Sequence, residues 1–280
     1  MVDVVALLRG PLAHASDAPA RIEFHGGGQG ANTAAWLARA GTSPALTCRV
    51  GDDSRGREAI EQLHDVGVDV HQAVDPELPT GTCVILVSPD GERTMVPDAG
   101  ANDGLSEDDL SPDPFRPGGH VHVAGYSLLR EGSRAAARAA IVLAGEREMT
   151  VSVDPSSAAL LTPAFLGDAA GADLLLPNAD EATALTGERD PARAASRLCE
   201  RFAEVVVTLG ADGALWSDGR SELRAAAEAV ARPEDSTGAG DAFAAGLIAA
   251  RLEGAEPAEA LAAGCRLAAA AVATRGARPA

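Results

Sequence analysis

A stretch of small residues that ends in an acid, Asp235–Asp241 (DSTGAGD), is the part of the chain best suited to chemistry. Gly238, Ala239 and Gly240 stand where an extended segment turns into an apolar helix. Several backbone N–H groups are then unpaired at the positive end of a helix dipole, which is a site for an anion. Asp241 fits this site if it takes the proton of a hydroxyl that attacks a phosphate held by the glycine amides. The structural alternative is an ordinary helix N-terminus with an Asp near its cap.

A second glycine-rich turn, Gly26–Asn32 (GGGQGAN), runs into an alanine-rich helical segment. Its four glycines let a ligand approach the backbone closely. Asn32, at the start of the helix, offers an amide donor and a carbonyl acceptor to a polyol. A dinucleotide-binding fingerprint is the competing interpretation, but no hydrophobic strand ends just before these glycines. A purely structural glycine turn is the other alternative.

A polar cluster, Asn178–Glu181 (NADE), follows the apolar run Leu174–Pro177. It therefore lies at the carboxyl end of a buried strand, where open α/β sheets bind their ligands. Asn178 and Glu181 share one face of the next helix and are suited to holding hydrated magnesium near a phosphate. The alternative is a helix N-cap with a capping box.

A strand followed by a glycine turn is predicted at Val205–Gly213 (VVVTLGADG). The Thr208 hydroxyl and the amides of Gly210 and Gly213 are placed to meet a nucleotide phosphate. A β-hairpin needs the same glycines without any ligand, so both interpretations stay open.

Short apolar runs alternate with alanine- and leucine-rich stretches of helical period, which predicts an α/β fold with helices on both faces of a parallel sheet. The predicted buried strands are Ala45–Val50, His120–Ala124, Met149–Val153, Asp173–Leu176 and Glu204–Leu209. The predicted helices are Asn32–Ala40, Gly56–Val66, Ser133–Ala144, Pro191–Phe202, Ala242–Leu252 and Pro257–Thr274. The alternating segment Arg21–Phe24 and a hairpin, Thr82–Ser88 with Glu92–Val96, interrupt this order. We expect them to form a small β-sheet lid, made of about residues 9–25 and 71–97.

The composition argues against several classes of partner. Acidic residues outnumber basic ones by 41 to 23, for a formal net charge of −18, so nucleic acids and anionic membranes are disfavoured. The four cysteines are scattered without metal-ligand spacing and are expected to be reduced thiols of a cytoplasmic protein. Residues 2–8 lack the positive leader of a signal peptide, and Leu261–Ala273 is too short to span a bilayer.

Taken in order, these motifs resemble the ribokinase-like, or phosphofructokinase-B, family of carbohydrate kinases over nearly the whole chain. The amino-terminal signature of that family is similar to Gly27–Asn32 with its helix, and its next element to Gly51–Asp69. Asn178–Glu181 resembles its Asn-x-x-Glu motif, Thr208–Gly213 its nucleotide turn and Asp235–Asp241 its carboxy-terminal signature. The resemblance implies a single domain over residues 1–280, with a three-layer α/β/α core and a β-sheet lid.

The resemblance also implies an activity, the transfer of the γ-phosphoryl group of ATP to a primary sugar hydroxyl with Mg²⁺. Asp241 is then the general base, and Gly238, Ala239 and Gly240 form the anion hole. It further assigns ligand contacts to residues that lie far apart in the sequence: Asn178 and Glu181 to magnesium, Thr208, Gly210 and Gly213 to ATP, and Asp3, Gly27, Gly28 and Asn32 to the sugar. Asp235 matches a position that supports a monovalent cation such as K⁺ in some members.

The identity of the acceptor stays open. The Gly-Gln-Gly-Ala-Asn stretch favours a ribose-like pentose, with a nucleoside of the pseudouridine type as the alternative. A phosphosugar is disfavoured because no cluster of Arg or Lys stands near the amino-terminal motif. A non-catalytic sugar- or nucleotide-binding protein of the same fold is a rival, and a nicotinamide-dependent oxidoreductase is disfavoured by its misplaced glycines. The exposed edge of the lid sheet predicts a homodimer.

One departure from the family concerns the first residues. The resemblance implies a full apolar strand before the sugar-binding aspartate, whereas here Met1-Val2 leads at once to Asp3. Either the start has been assigned too far downstream or the chain has been shortened. We expect an empty position in the central sheet with unpaired backbone groups, and therefore a chain less stable than one with about ten more residues at its start.

Overall fold

A computed structural model describes residues 1–13 and 15–279. His14, within the predicted lid segment, and Ala280, the last residue of the predicted domain, lie outside the described residues. The strands are β1 (Val2–Leu8), β2 (Ala20–Gly26), β3 (Ala45–Gly51), β4 (Asp69–Asp75), β5 (Thr80–Val87), β6 (Arg93–Gly100), β7 (His120–Ala124), β8 (Thr150–Asp154), β9 (Leu174–Leu175), β10 (Glu204–Thr208), β11 (Ala214–Ser217) and β12 (Glu222–Ala225). The α-helices are α1 (Gln29–Arg39), α2 (Ser54–Asp65), α3 (Tyr126–Leu129), α4 (Glu131–Glu146), α5 (Phe165–Asp168), α6 (Ala179–Thr186), α7 (Pro191–Leu198), α8 (Ala239–Leu252) and α9 (Pro257–Val272).

The main sheet has six strands in the order β12-β11-β10-β9-β8-β7, of which β7 to β10 are parallel. Successive side chains of a strand point to opposite faces. On β10, Val205 and Val207 accordingly pack in one cluster with residues of α4 and α7, while Val206 packs with α8 and α9 on the other face. This arrangement confirms the predicted α/β/α layers. The predicted strands and helices are all present, with ends that differ by a few residues.

A separate pair of parallel strands, β3 and β4, lies beside the main sheet and packs on α1 and α2. Within the described residues β3 pairs only with β4, and β7 only with β8. Every residue of Ala45–Val50 and of Gly119–Ala124 lines one cavity of about 1060 Å³. The free edges of β3 and β7 therefore face each other across a cleft, where the sequence predicted an empty position in the sheet.

The lid is a four-stranded sheet in the order β2-β1-β5-β6. Two details of the predicted lid were wrong. Residues 2–8, which were not part of the predicted lid, form β1, and this strand lies inside the lid sheet because it pairs with β2 on one side and β5 on the other. Residues 71–75, predicted as lid, belong to β4, whose backbone groups pair with β3 instead.

All four cysteines are free, and Cys48 and Cys83 lie on β3 and β5. None of the helices in the described part of the chain is long and apolar enough to cross a membrane.

Candidate active site

The amino end of α8 carries the predicted anion nest. Gly238 precedes the helix in a left-handed conformation with φ 77°, and no side chain caps the helix. A Cβ on Gly238 would collide with the backbone of Ala277, so only glycine fits. Around Gly240, in contrast, a Cβ would project into open space. Within the described residues the backbone amides of Gly238, Gly240 and Asp241 have no hydrogen-bond partner, as an anion site requires, whereas the Ala239 amide donates to the Ser236 carbonyl at 3.3 Å.

Asp241 lies in the first turn of α8 and lines the large cavity. Its carboxylate accepts a 2.8 Å hydrogen bond from the side-chain amide of Asn32, a buried residue of α1. Loss of solvent raises the pKa of Asp241 to about 7, and the nearby charges of Asp154 and Asp3 add to the rise, whereas the Asn32 bond opposes it. A carboxylate with this pKa is able both to accept and to release a proton near neutral pH.

Helix α1 brings the amino-terminal glycine motif to the same place. Gly28, with φ 94°, precedes α1 and lines the cavity together with Asp3 and Asn32. Gly27 lies so close to the buried Asp3 carboxylate that a Cβ would overlap it. The structure therefore brings the predicted sugar-binding residues near Asp241, although 209 positions separate even Asn32 from it in the sequence.

Arg278 is a component of this site that the sequence did not predict. Its guanidinium donates to the carbonyl of Gly27 at 2.9 Å and to the side-chain oxygen of Asn32 at 3.3 Å. The remaining nitrogen, Nη1, is buried without a hydrogen-bond partner among the described residues. A cationic group thus stands beside the amino-terminal motif, contrary to what its sequence neighbours indicated.

Asp154 was also missed, at the carboxyl end of β8. Burial raises the pKa of Asp154 to about 6, and its charge in turn raises the pKa values of Asp241 and Glu181. The next turn holds Ser156 at φ 75°, an uncommon conformation for a residue with a side chain. The Ser156 hydroxyl donates to the side-chain carbonyl of Gln29 on α1. The charge of Asp154 therefore couples the titration of Asp241 to that of Glu181.

The Asn178–Glu181 pair forms the capping box that was the structural alternative. Asn178 Oδ1 accepts from the Glu181 amide at 2.8 Å, and Glu181 Oε2 accepts from the Asn178 amide at 2.9 Å. Glu181 is nevertheless unusual, because burial and the charge of Asp154 raise its pKa to about 7. Its second oxygen has no hydrogen bond within the described residues. The capping box uses one carboxylate oxygen of Glu181, and the other oxygen is available to a ligand.

The glycine turn after β10 closes a hairpin with β11, as the structural interpretation required. Thr208 forms a bridge to Asn178, so these two polar residues are neighbours at the carboxyl ends of adjacent strands. Gly210 and Gly213 have φ values of 59° and 91°, and the backbone of Ala225 leaves no room for a Cβ on Gly213. These residues do not line the cavity that holds Asp241.

Asp235, the predicted cation position, lies just before the nest. Its carboxylate accepts from the amides of Thr237 at 2.8 Å and Gly276 at 3.1 Å. It also forms a 2.7 Å ion pair with Arg93 of the lid strand β6. The amide bonds and the Arg93 charge hold the pKa of Asp235 below its usual range despite burial. A guanidinium therefore already balances this carboxylate.

The chain is similar to several known proteins and matches one family model over its full length. The family model described as pfkB family carbohydrate kinase matches residues 1–280. A 2-dehydro-3-deoxygluconokinase of Thermoproteus tenax is 32% identical over 274 residues, covering 93% of this chain and 82% of that protein. A ribokinase of Mus musculus is 33% identical over 227 residues, which cover 78% and 68%. The crystal structure of adenosine kinase from Sinorhizobium meliloti superposes with a TM-score of 0.90 at 26% identity, covering 100% of this chain and 93% of that one.

Proposed function

Because the chain belongs to the pfkB family of carbohydrate kinases, we propose that it transfers the γ-phosphoryl group of ATP to a primary hydroxyl of a sugar, with a ribose-like pentose as the favoured acceptor. The observation that carries this proposal is Asp241, a carboxylate with a raised pKa in the first turn of a glycine-flanked helix. Residues 1–280 act as one kinase domain, and the sheet of β1, β2, β5 and β6 is its lid.

The chemistry assigned to these residues is a proton transfer combined with anion stabilisation. Asp241 accepts the proton of the acceptor hydroxyl as its oxygen attacks phosphorus, and the bond between phosphorus and the leaving oxygen breaks. The amides at Gly238, Ala239 and Gly240 hold the charge on the transferring group. Asn32 keeps the Asp241 carboxylate oriented. Positioning and charge stabilisation together supply most of the acceleration.

The residues at the carboxyl ends of β9 and β10 fit a hydrated metal and a nucleotide. The described residues contain no cluster of three metal-ligating side chains, so the free oxygen of Glu181 would act on Mg²⁺ through water, with Asn178 beside it. Thr208 and the open space at Gly210 leave room for a nucleotide phosphate. Mg²⁺, when bound, neutralises phosphate charge during transfer.

The acceptor is assigned to Asp3, Gly27, Gly28 and Asn32, because these residues surround Asp241. A nucleoside is the second candidate, since an adenosine kinase superposes on the whole chain. A third candidate acceptor is an acidic sugar, such as that phosphorylated by 2-dehydro-3-deoxygluconokinase, because the Arg278 guanidinium lies beside Gly27. This guanidinium is shared with Gly27 and Asn32 and lies near Asp3, so a neutral pentose remains favoured.

The proposal is tested by ADP release with Mg-ATP against ribose, fructose, 2-dehydro-3-deoxygluconate, adenosine and pseudouridine. We expect ribose or a related pentose to stimulate the protein, and the Asp241→Asn protein to show no stimulation. Stimulation by a nucleoside alone would replace the pentose assignment. ATP binding without turnover on any acceptor would favour the non-catalytic sugar- or nucleotide-binding protein.

The pH dependence of turnover should report the raised pKa of Asp241. Since a general base acts only when it is deprotonated, kcat/KM should rise with pH and level off above an apparent pKa near 7. At pH 6 it should be about tenfold below the plateau. The apparent value belongs jointly to Asp241, Asp154 and Glu181, because their charges interact. A profile that stays flat between pH 5.5 and 8 would argue against Asp241 as the base.

We also propose that two copies associate through the outer face of the lid. Phe24, Val4, Val84 and Val96 stand side by side across the four strands, and all but Val4 are strongly exposed. The opposite face lines the cavity, so this apolar row points away from the site.

Phe24→Ser should weaken this dimer. Burial of one Phe contributes roughly 1.5–3 kcal/mol, so the loss from both copies should raise the dimer Kd by at least about 100-fold. Sedimentation velocity measures this change, with Leu160→Ser as the control because Leu160 is also an exposed apolar residue but lies outside the lid. A protein that sediments as a monomer at every concentration would contradict the proposal.

A monovalent cation near Asp235 is the least supported of the proposed ligands. The Arg93 guanidinium already occupies one oxygen of Asp235, and backbone amides occupy both. K⁺ would have to act beside this ion pair. Equal turnover in potassium and in choline salts is therefore the expected result.

A further inference from the structure

Arg93, at the start of β6, joins the lid to the nest loop (residues 235–238). Its Nη2 lies 2.7 Å from Asp235 Oδ1, and its Nη1 donates to the Thr237 hydroxyl at 2.5 Å and to the Ser236 hydroxyl at 3.4 Å. One guanidinium thus bonds to three consecutive residues. About 140 positions separate Arg93 from them in the sequence, so the contact exists only when the lid lies over the core.

The three residues held by Arg93 form the segment that leads directly into the nest. Thr237 precedes Gly238, and both line the cavity with Asp241. Asp235 is in turn fixed by the amides of Thr237 and Gly276. The position of the Arg93 guanidinium therefore bears on the geometry of the loop that starts α8.

Arg93 also lies on the face of the lid that covers the site. Side chains two positions apart on a strand share a face. Met95 and Pro97 follow Arg93 at this spacing, and both line the cavity beside Asp241. Cys83 and Ile85 of β5 stand opposite them in the register and line the same cavity. The ion pair thus forms when the inner face of the lid is over the cavity.

We propose that Arg93 is a positioning residue that couples closure of the lid to the shape of the nest. This inference rests on the proposed kinase function and adds a residue to it. A guanidinium suits the task because its planar fork bonds to the Asp235 carboxylate and the Thr237 hydroxyl at once. The pair is mostly shielded from solvent, with 23% and 21% of the two side chains exposed, so it is screened less than a surface pair.

The kinetic test compares Arg93→Ala with Arg21→Ala. Arg21 is a matched control, since it lies on the lid strand β2, is 69% exposed and, among the described residues, forms an ion pair only with Glu23 of the same strand. Arg93→Ala should raise the acceptor KM by about tenfold, equivalent to one charged hydrogen bond, and increase ATP hydrolysis relative to transfer. Arg93→Lys should give an intermediate KM, because an ammonium keeps the charge without the fork. Arg21→Ala should leave all of these values unchanged.

An unchanged acceptor KM for Arg93→Ala would overturn the proposal. If Arg93 only stabilised the fold, Arg93→Ala would lower the thermal midpoint and the active fraction while the acceptor KM stayed that of the wild type. The same conclusion would follow if Arg93→Ala and Arg21→Ala raised KM equally.

Hydrogen exchange of the protein without ligands provides a test that does not depend on kinase activity. Arg93→Ala and Asp235→Asn should each speed amide exchange in β5 and β6, and the double variant should show no further increase. Unchanged exchange in these strands would exclude the tether even if turnover were altered. If none of the acceptors were phosphorylated but exchange changed as expected, the proposed function would fail while the tether stood.

Discussion

Asp241→Asn should lower kcat by about 10²–10⁴, the usual contribution of a positioned general base, and leave the affinity for ATP unchanged. The substituted amide keeps the size of the carboxylate, and its oxygen still accepts the hydrogen bond from Asn32. It has no means of taking a proton from the acceptor hydroxyl. Single-turnover measurements of phosphoryl transfer are the appropriate assay, because product release does not mask the chemical step. Near wild-type turnover would remove Asp241 from this role.

The same substitution should stabilise the protein without ligands at alkaline pH. The pKa of Asp241 is about 7 in the folded chain and near 3.8 when unfolded, so folded molecules bind the proton more tightly. This contribution to stability is fully present below pH 4 and is lost as the pH rises through 7. Asn is neutral throughout, so Asp241→Asn should gain about 1–2 kcal/mol at pH 8, a figure reduced for partial exposure to solvent, and little at pH 4.

Chemical denaturation at the two pH values measures this difference. Glu259→Gln is the control, since Glu259 is an exposed acid in the first turn of α9 and stabilises that helix through its dipole. Glu259→Gln should lower the free energy of unfolding by a few tenths of a kcal/mol at pH 8. A loss of stability for Asp241→Asn at pH 8 would show that the ionised Asp241 carboxylate does not destabilise the folded protein. A gain would mark Asp241 as a residue whose functional position opposes stability.

The parts of the site that sequence alone predicted are those whose chemistry is local. A glycine turn before an apolar helix carries its own geometry, so the nest and Gly28 were found directly. Asp154 gave the same local signal as Asn178, because both directly follow an apolar run in the sequence, and applying that rule to Met149–Val153 would have found it. Arg278 and Arg93 gave no such signal, since only tertiary packing brings them to Asn32 and Asp235.

Errors in the predicted fold have a related cause. Apolar periodicity identifies a strand, but the sheet to which it belongs depends on its partners. Val2–Leu8 is apolar enough for either sheet, and pairing with β2 and β5 places it in the lid. Residues 71–75 alternate like a lid strand, but their parallel register with β3 places them beside the core. The Asn178–Glu181 motif shows the same ambiguity at a smaller scale, because one pair of side chains serves both as a helix cap and as a candidate ligand site.

A chain carrying about ten additional residues before Met1, in an apolar β-forming sequence, should unfold at a higher temperature than the present one. Met1 lines the cleft between β3 and β7, so residues placed before it enter that space directly. A strand there would pair with both free edges at once, and backbone groups left without partners in a partly buried cleft are costly. The cleft also contains His122 Nε2, which is buried without a partner among the described residues.

The size of the effect and its control follow from the same geometry. A strand that buries two or three large apolar side chains should contribute several kcal/mol, which corresponds to a rise in Tm of about 5–10 °C. Hydrogen exchange should slow in β3 and β7 together, because a single inserted strand protects both edges. The matched control carries the same ten residues with proline at alternate positions, which removes the backbone donors and prevents pairing. Equal midpoints for the present chain, the extended chain and the proline control would refute the prediction, whereas stabilisation of the extended chain alone would show that the cleft is a strand position that the rest of the fold maintains.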